Sequence, residues 1–290
     1  MLTTRLLLRS LATVFTIVLQ VLPAEAQALL DLRDTRELKN RRPLLIAHRG
    51  GVITEASPEC SRSALRLAAA RGYDMVELDI RRSRDGIPIV FHDPTLQKAC
   101  GRSERVSELT AEALSSIAYH NSTDTILTLK QAITECHQQG LGIMLDLKAG
   151  RESPSFLTII DSMIVSVGLE NATISFSGTP EARQHLKHVR FTPTDSEMKQ
   201  LRQGSIPSMM RQRFWFGLPN QLSGQDIKRL KHAGALIFPA INTFRYPADH
   251  HLALAKKDIH RLLNAGVDGF QIDSIYDTFI DRSSQTPTAH

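Results

Sequence analysis

Short apolar runs alternate along the chain with longer stretches in which apolar positions recur at helical spacing. The short runs predict strands, and the amphipathic stretches predict helices. The predicted strands are residues 44–47, 74–80, 87–91, 142–147, 173–176, 188–191, 235–240 and 269–272. The predicted helices are residues 60–70, 127–138, 155–167, 180–186, 196–203, 224–232 and 252–264. This alternation is typical of a parallel sheet covered by helices, and about eight strands predict an α/β protein of the TIM (β/α)8 barrel type.

Two places break the alternation. Ser83-Arg84-Asp85-Gly86 predicts a tight hairpin between two strands, because Asp-Gly favours such turns. Residues 95–125 are polar and weakly patterned, which predicts a small insertion after the third strand, over the active-site face. Phe214-Trp215-Phe216 is also irregular. Three interpretations stay open for it: a short strand, a core plug, or an apolar lip near a lipid-like substrate.

The N-terminal segment has the pattern of an export signal. Arg5 and Arg9 precede an apolar run at residues 11–22, and Ala24-Glu25-Ala26 is a small-x-small cleavage pattern. We therefore predict a signal peptide at residues 1–26, cleaved or kept as an anchor, and a periplasmic or secreted protein. A polar leader at residues 27–42, a barrel at 43–280 and a disordered tail at 281–290 complete the predicted domains.

The charge distribution argues against nucleic acid as a partner. The formal net charge is +5, but no block of Lys or Arg concentrates it. A weak attraction to anionic substrates, or a peripheral contact with lipid surfaces, is compatible with such a surface. The three cysteines, Cys60, Cys100 and Cys136, form no CxxC unit. We predict that they are mostly buried apolar residues, although two could pair.

Carboxylates on two predicted strands indicate a metal site. Glu77 and Asp79 are two residues apart, so their side chains point to the same face. Oxygen ligands suit a hard divalent cation, although the pair could also face solvent or bind arginines. Asp146 and Lys148 repeat the spacing on another strand. Asp146 is a candidate third ligand and Lys148 a candidate phosphate-binding ammonium; a buried Asp–Lys ion pair is the alternative.

His48 and His92 each follow an apolar run, as catalytic side chains at strand ends do. A lone histidine there is more often structural, but two of them beside Arg49 suggest acid–base chemistry on a phosphate ester. Ser57 and Pro58 predict the start of a helix. Glu59 would then favour the helix dipole, or reach into the site as a supporting carboxylate.

Taken in order, these segments resemble the glycerophosphodiester phosphodiesterase family. The resemblance extends over about residues 43–280 and rests on His48-Arg49-Gly50, Pro58-Glu59, Glu77-Leu78-Asp79, His92-Asp93 and Asp146-Leu147-Lys148. It implies a barrel that hydrolyses glycerophosphodiesters to glycerol 3-phosphate and an alcohol through a cyclic phosphate. One divalent cation, Ca²⁺ or Mg²⁺, is implied as well. The implied roles are metal ligation by Glu77, Asp79 and Asp146, acid–base catalysis by His48 and His92, phosphate binding by Arg49 and Lys148, and support by Glu59.

Several positions depart from the family pattern. Cys60 replaces an Asn, Asp146 stands where Glu is usual, residues 239–242 lack a Trp, and Asp273-Ser274-Ile275 lacks a Pro. The expected partner is a small phosphodiester, and no obligate protein partner is evident. Two other functions remain open: a phospholipase D-like or C-like activity on lysolipids or sphingolipids, and a barrel that binds phosphate esters without turnover.

Overall fold

The computed structural model describes residues 29–34, 38, 43–148 and 152–281, and the following statements concern these residues. The predicted signal peptide at 1–26 lies outside them, as do nearly all of the predicted tail and most of the predicted leader. Among the described helices, none combines the length and the apolarity that crossing a bilayer requires.

The fold is a nearly closed barrel of eight parallel strands with helices outside, as predicted. Its strands, in spatial order, are β7, β6, β5, β2, β1, β10, β9 and β8, and a parallel bridge from Phe191 to Arg213 joins the two ends. The bounds are β1 Leu44–Ala47, β2 Met75–Arg82, β5 Gly142–Leu147, β6 Thr173–Ser175, β7 Arg190–Phe191, β8 Phe214–Gly217, β9 Leu236–Ile241 and β10 Gly269–Ile272.

Two further strands, β3 (Pro88–Val90) and β4 (Leu127–Thr128), lie outside the barrel. The predicted hairpin is confirmed, because β3 pairs antiparallel with β2 and then with β4. The predicted strand 87–91 is therefore not one of the eight barrel strands. The eighth is β8, which settles the interpretation of Phe214-Trp215-Phe216 as a strand with Phe214 and Trp215 buried.

Nine described helices surround the sheet or belong to the insertion. They are α1 Arg62–Ala70, α2 Gln97–Cys100, α3 Ala111–Ser115, α4 Leu129–Gln138, α5 Pro154–Val167, α6 Pro180–His185, α7 Asp195–Arg202, α8 Gly224–His232 and α9 His251–Ala265. A Ser or Thr hydroxyl caps the first turn of most of them, which supplies an acceptor for a free helix N–H. Helices α2 and α3 lie in the predicted insertion, which packs around its own apolar cluster over β3.

The core has an inner and an outer layer. Along β2, Leu78 and Ile80 belong to the outer layer between the sheet and the helices, whereas Met75 belongs to the cluster inside the barrel. Leu30 and Leu32 join that inner cluster, and Leu32 N–H donates to Asn171 O ahead of β6. The predicted leader therefore contributes apolar side chains that fill the end of the barrel where the strands begin. Side chains from the opposite, carboxyl ends of the strands form the site described below.

Gly269 allows β1 and β10 to approach closely. It lies opposite Leu44, and a Cβ at Gly269 would stand 2.1 Å from Leu44 O. Gly269→Ala is therefore expected to destabilise the protein by about 1–3 kcal/mol through overpacking. This should appear as a fall in Tm of roughly 3–10 °C in thermal unfolding. Gly224→Ala is the matched control, because its added Cβ would meet nothing within 4 Å. Equal Tm values for the two variants would contradict the proposed close contact.

Candidate active site

The sheet register brings the three predicted carboxylates together. Strands β2 and β5 pair in parallel with Asp79 opposite Asp146, and Glu77 precedes Asp79 on the same face of β2. Carboxylate oxygens of Glu77, Asp79 and Asp146 all lie within 4.8 Å of one another. Glu77 and Asp79 are buried, whereas Asp146 is half-buried. The cluster therefore concentrates negative charge at the carboxyl ends of two neighbouring strands.

Lys148 supplies one positive charge to this carboxylate cluster. Its Nζ lies 2.8 Å from Asp79 Oδ1 and also contacts Asp146 Oδ2. Burial alone would lower the pKa of Lys148, but the field of Asp79 and the hydrogen bonds to both carboxylates raise it above its ordinary value. The structure thus shows the Asp–Lys ion pair that the sequence left as an alternative. The predicted role of Lys148 towards phosphate stays a prediction.

The negative charge of Glu77 is only partly balanced by its surroundings. Burial, and then the charge of Asp79, raise the pKa of Glu77 well above its ordinary range, although the Arg49 backbone N–H donates to its Oε2 at 2.7 Å. Three carboxylates share a single ammonium, so a cation would relieve the remaining repulsion. Oxygen donors without sulfur or imidazole suit Ca²⁺ or Mg²⁺. The residues present therefore fit the implied divalent cation.

His48 is held by a carboxylate that the sequence did not indicate as functional. Its Nδ1 lies 2.5 Å from Oδ1 of Asp273, which follows the last strand, β10. Asp273 Oδ2 also accepts from the N–H and the hydroxyl of Thr243, at 2.6 and 2.8 Å. Burial raises the pKa of Asp273, but the hydrogen bond and charge of His48, with help from Thr243, bring it below the ordinary value. The carboxylate fixes the imidazole so that Nε2 is the nitrogen left for chemistry.

Arg49 lies in a strained turn between His48 and two glycines. Its φ of 55° is left-handed, and its Nη1 donates to Glu59 Oε2 at 3.0 Å. Burial would lower the pKa of Arg49, but Glu59 and then Asp79 raise it. The Nε atom is buried and has no hydrogen-bond partner within the described part of the chain. Arg49 thus keeps a donor that an oxyanion in the site could accept.

The loop before α1 differs from its prediction. Ser57 and Pro58 do not begin the helix, which starts at Arg62 with Ser61 as its cap. Cys60 interrupts the chain there with a φ of 62°, so Glu59 lies in a loop and reaches Arg49. The Cys60 thiol donates to Asp79 Oδ2 at 3.6 Å. Burial, then the charge of Asp79, raises the pKa of Cys60, so the thiol stays protonated beside a candidate ligand.

The described cysteines are all free. Cys60 and Cys136 are buried, as predicted, whereas Cys100 is half-buried. In the described chain, none of the three is bridged to another. The three thiols are therefore unlinked, and two of them are buried.

His92 follows β3 and is the second histidine of the site. Its Nδ1 lies 2.8 Å from Asp93 Oδ1, and its backbone carbonyl accepts from Arg81 Nε at 3.0 Å. Potential ligand atoms of Glu59, His92 and Asp93 lie within 4.8 Å of one another. Glu59 therefore lies beside His92 while it binds Arg49, which places it between two predicted site residues.

A cavity of about 350 Å³ opens beside His48 and Arg49. Its far wall is apolar and unusually exposed: Ile53, Phe244 and Ile275 are 43, 63 and 52% exposed. The Phe244 ring lies 5.9 Å from the His48 ring, centre to centre. Sequence reasoning missed Asp273 and this apolar rim. A carboxylate directly after the last predicted strand was the available signal for Asp273, whereas nothing in the pattern singled out Phe244.

The sequence comparisons match the part of the chain that contains most of these residues. The model of the glycerophosphoryl diester phosphodiesterase family matches residues 48–165. Glycerophosphodiester phosphodiesterase 1 of Mus musculus is 38% identical over 132 residues, which are 42% of this chain and 39% of that protein. The Homo sapiens protein of the same name is 37% identical over 111 residues, 36% of this chain and 33% of its own length. The matched residues thus span between one third and two fifths of the length of these two relatives.

The structural comparisons extend over most of the chain. A glycerophosphoryl diester phosphodiesterase from Parabacteroides distasonis is similar with a TM-score of 0.68 and 19% identity, covering 90% of this chain and 95% of that one. A phosphodiesterase from Oleispira antarctica, solved with the product sn-glycerol-3-phosphate, gives a TM-score of 0.60 at 21% identity, covering 83% and 97%. At such low identity these likenesses establish the barrel fold.

Proposed function

We propose that this chain, which belongs to the glycerophosphoryl diester phosphodiesterase family over residues 48–165, hydrolyses glycerophosphodiesters to glycerol 3-phosphate and a free alcohol. One observation carries the proposal: the carboxylate cluster, Arg49 and a carboxylate-held His48 meet at one end of the barrel. The names of the sequence relatives support it, as does the product bound to the Oleispira antarctica enzyme.

Glu77, Asp79 and Asp146 would hold one divalent cation, Ca²⁺ or Mg²⁺. A bound ion would polarise a phosphoryl oxygen and would offset the charge that develops there. Arg49, through its unpartnered Nε, and Lys148 would bind the phosphate oxygens. Glu59 would hold the Arg49 guanidinium in place through its hydrogen bond.

The two histidines would exchange protons with the substrate. One takes the proton of the free glycerol hydroxyl as its oxygen bonds to phosphorus, and the other protonates the oxygen of the leaving alcohol as that P–O bond breaks. The roles then reverse, since water must lose a proton to open the cyclic phosphate and the glycerol oxygen must regain one. Nδ1 of each histidine is hydrogen-bonded to a carboxylate, so Nε2 is the atom available for proton transfer.

Release of glycerol 3-phosphate from glycerophosphocholine by the purified full chain tests this function. EDTA is expected to abolish the release, and added Ca²⁺ or Mg²⁺ to restore it. Binding of the diester without turnover, in the presence of either ion, would support a binding protein instead. Full activity after exhaustive chelation would contradict the role of the carboxylate cluster while leaving the reaction itself intact.

Asp273 should act as a positioning residue for His48. Asp273→Asn is expected to lower kcat by about 10²–10⁴-fold with KM nearly unchanged, because the imidazole loses its orienting carboxylate. The acidic limb of the pH profile should also move towards lower pH, since an imidazolium at His48 loses its counter-charge. Asp277→Asn is the matched control, because Asp277 binds Tyr73 instead. An unshifted pH profile in Asp273→Asn would assign Asp273 a purely structural role.

A second candidate substrate class is favoured by the apolar rim of Ile53, Phe244 and Ile275. These exposed side chains border the cavity that holds His48 and Arg49, so they could accept a hydrocarbon chain of a lysolipid or a sphingolipid. Phe244→Ser should then reduce kcat/KM for a lysophospholipid more than for glycerophosphocholine. Equal effects on both substrates would leave the water-soluble diester as the better candidate. The same rim would account for a peripheral contact with lipid surfaces.

We also propose that the protein is exported to the periplasm or secreted. The support is the basic, apolar and small-x-small succession at residues 1–26. Cell fractionation of the full chain, with mass analysis of its N-terminus, tests both export and cleavage. Recovery of uncleaved protein only from the cytosol would contradict this proposal.

A further inference from the structure

A second cavity, of about 560 Å³, lies at the end of the barrel opposite the candidate active site. It is bordered by residues that precede or begin β6, β7 and β8, and by Leu32 of the segment that fills this end. Five Lys or Arg side chains line it. Arg33 and Arg213 form ion pairs with Asp31 and Glu197, which leaves Lys187, Arg190 and Arg211. The proposed hydrolysis makes no use of these side chains. We call the cavity that they line the basic cavity.

Arg190 is a cation without a matching anion. Its Nη2 donates to Leu32 O at 2.8 Å, but its Nη1 is buried and has no hydrogen-bond partner among the described residues. Burial lowers the pKa of Arg190 to about 10, and Asp31 opposes this only in part. Asp31 itself is bound by Arg33 at 2.8 Å. An unpaired buried charge is costly, so a bound anion would stabilise this arrangement.

Lys187 and Arg211 add further unbalanced positive charge to the basic cavity. Within the described chain, neither Lys187 nor Arg211 forms an ion pair. They belong to the segments before β7 and β8, the two end strands of the sheet, which the described chain joins to each other by the bridge from Phe191 to Arg213. Like charges therefore meet across the weakest joint of the barrel, where an anion would attract both sides.

Glu170 narrows the class of anion. It lines the basic cavity, and its Oε2 is buried with no hydrogen-bond partner in the described chain. A carboxylate repels a fully deprotonated anion but accepts a hydrogen bond from a hydroxyl. The cavity thus offers donors for an oxyanion and one acceptor for a hydroxyl next to it.

We propose that the basic cavity binds a phosphate group that carries a hydroxyl donor, either hydrogen phosphate or a hydroxylated phosphomonoester. The oxygens would bind Arg190, Arg211 and Lys187, and the hydroxyl would donate to Glu170. Such a ligand links the starts of β7 and β8, so it stabilises the closed barrel.

Thermal unfolding and titration calorimetry of the full chain test this site, with inorganic phosphate and sulfate as probes. All variants carry Arg49→Met, which removes one of the two side chains proposed to bind phosphate at the candidate active site. Any binding that remains there is then common to every variant and to the control. Phosphate at about ten times its Kd should raise Tm by roughly 3–5 °C. Sulfate, which has no proton to donate to Glu170 near pH 7, should raise it clearly less. Glycerol 3-phosphate in place of phosphate distinguishes the two ligand sources, since the tighter binder identifies the source.

Arg190→Met should remove the phosphate effect, and Glu170→Gln should make phosphate and sulfate equivalent. Arg211→Met repeats the first test from the other side of the joint, should Arg190→Met fail to fold. Arg229→Met is the matched control, because Arg229 forms a surface ion pair with Asp226 on α8. A full phosphate shift in both Arg190→Met and Arg211→Met, or equal effects of phosphate and sulfate on the starting protein, would overturn the proposal.

Discussion

Alanine in place of His48 is expected to lower kcat/KM for a glycerophosphodiester by about 10²–10⁴-fold, with little change in Tm. The ring lines the cavity, and its Nδ1 is committed to Asp273, so proton transfer depends on Nε2. His92→Ala should cause a loss of the same order for the same reason. Steady-state release of glycerol 3-phosphate measures both effects.

The two histidines can be told apart by the leaving alcohol. A diester with a nitrophenol leaving group needs no proton from the enzyme, so it should restore activity to the variant that lacks the general acid. It should not restore activity to the variant that lacks the base. His188→Ala is the matched control, since His188 also pairs with a carboxylate, Asp161, at 2.9 Å but lies at the other end of the barrel. Full activity in His48→Ala or His92→Ala would contradict the proposed mechanism.

The carboxylate cluster was largely predictable from the sequence, because the pairing of Glu77 with Asp79 depends on local spacing. One residue separates Glu77 from Asp79, and the period of a strand puts such a pair on one face whatever the fold. That Asp146 belongs to the same cluster required a further step, because it depends on β5 pairing beside β2 in the observed register. Spacing within Asp146-Leu147-Lys148 suggested the match, but only the register brings Asp146 opposite Asp79.

Features that depend on packing escaped sequence reasoning. Phe214-Trp215-Phe216 forms a barrel strand because it pairs with β9 on one side, while Arg213 bridges to β7 on the other. An aromatic run of that length does not reveal such partners. Similarly, Asp273 is 225 residues from His48 along the chain, so their hydrogen bond exists only once the barrel closes.

The start of α1 shows how a correct rule can select the wrong residue. Ser57-Pro58 is a good helix beginning in isolation, but Ser61 offers the same hydroxyl and accepts from Ala64 N–H at 3.2 Å. Gly50 explains the choice, since its Cα packs against the Cys60 backbone so closely that a Cβ would stand 2.7 Å from Cys60 Cα. That contact holds residues 58–60 as a loop and turns Glu59 towards Arg49.

Glu77→Gln is expected to have opposite effects on two quantities: it should raise the stability of the metal-free protein and lower its affinity for the metal. The glutamine carbonyl can still accept the Arg49 N–H, but the amide adds no negative charge to the buried cluster. Because burial and Asp79 raise the pKa of Glu77, its ionised form destabilises the metal-free fold at neutral pH. The variant should therefore have a higher Tm than the parent in EDTA. Its affinity for Ca²⁺ or Mg²⁺ should fall by more than the roughly 10–100-fold that loss of an outer hydrogen bond costs.

Glu135→Gln provides the comparison, because Glu135 is also buried but lies between cations. Its Oε1 accepts from Arg66 Nε at 2.7 Å, and Arg62 binds Oε2. Burial raises the pKa of Glu135, but the two arginines lower it overall, so its charge stabilises the fold until the pH falls through that lowered pKa. Glu135→Gln should then lower Tm equally with and without metal, and leave metal affinity unchanged. A Glu77→Gln variant that behaves in the same way, losing stability in EDTA, would show that the Glu77 charge is already balanced by Lys148 and the Arg49 backbone, and that the carboxylate cluster has no need of a cation.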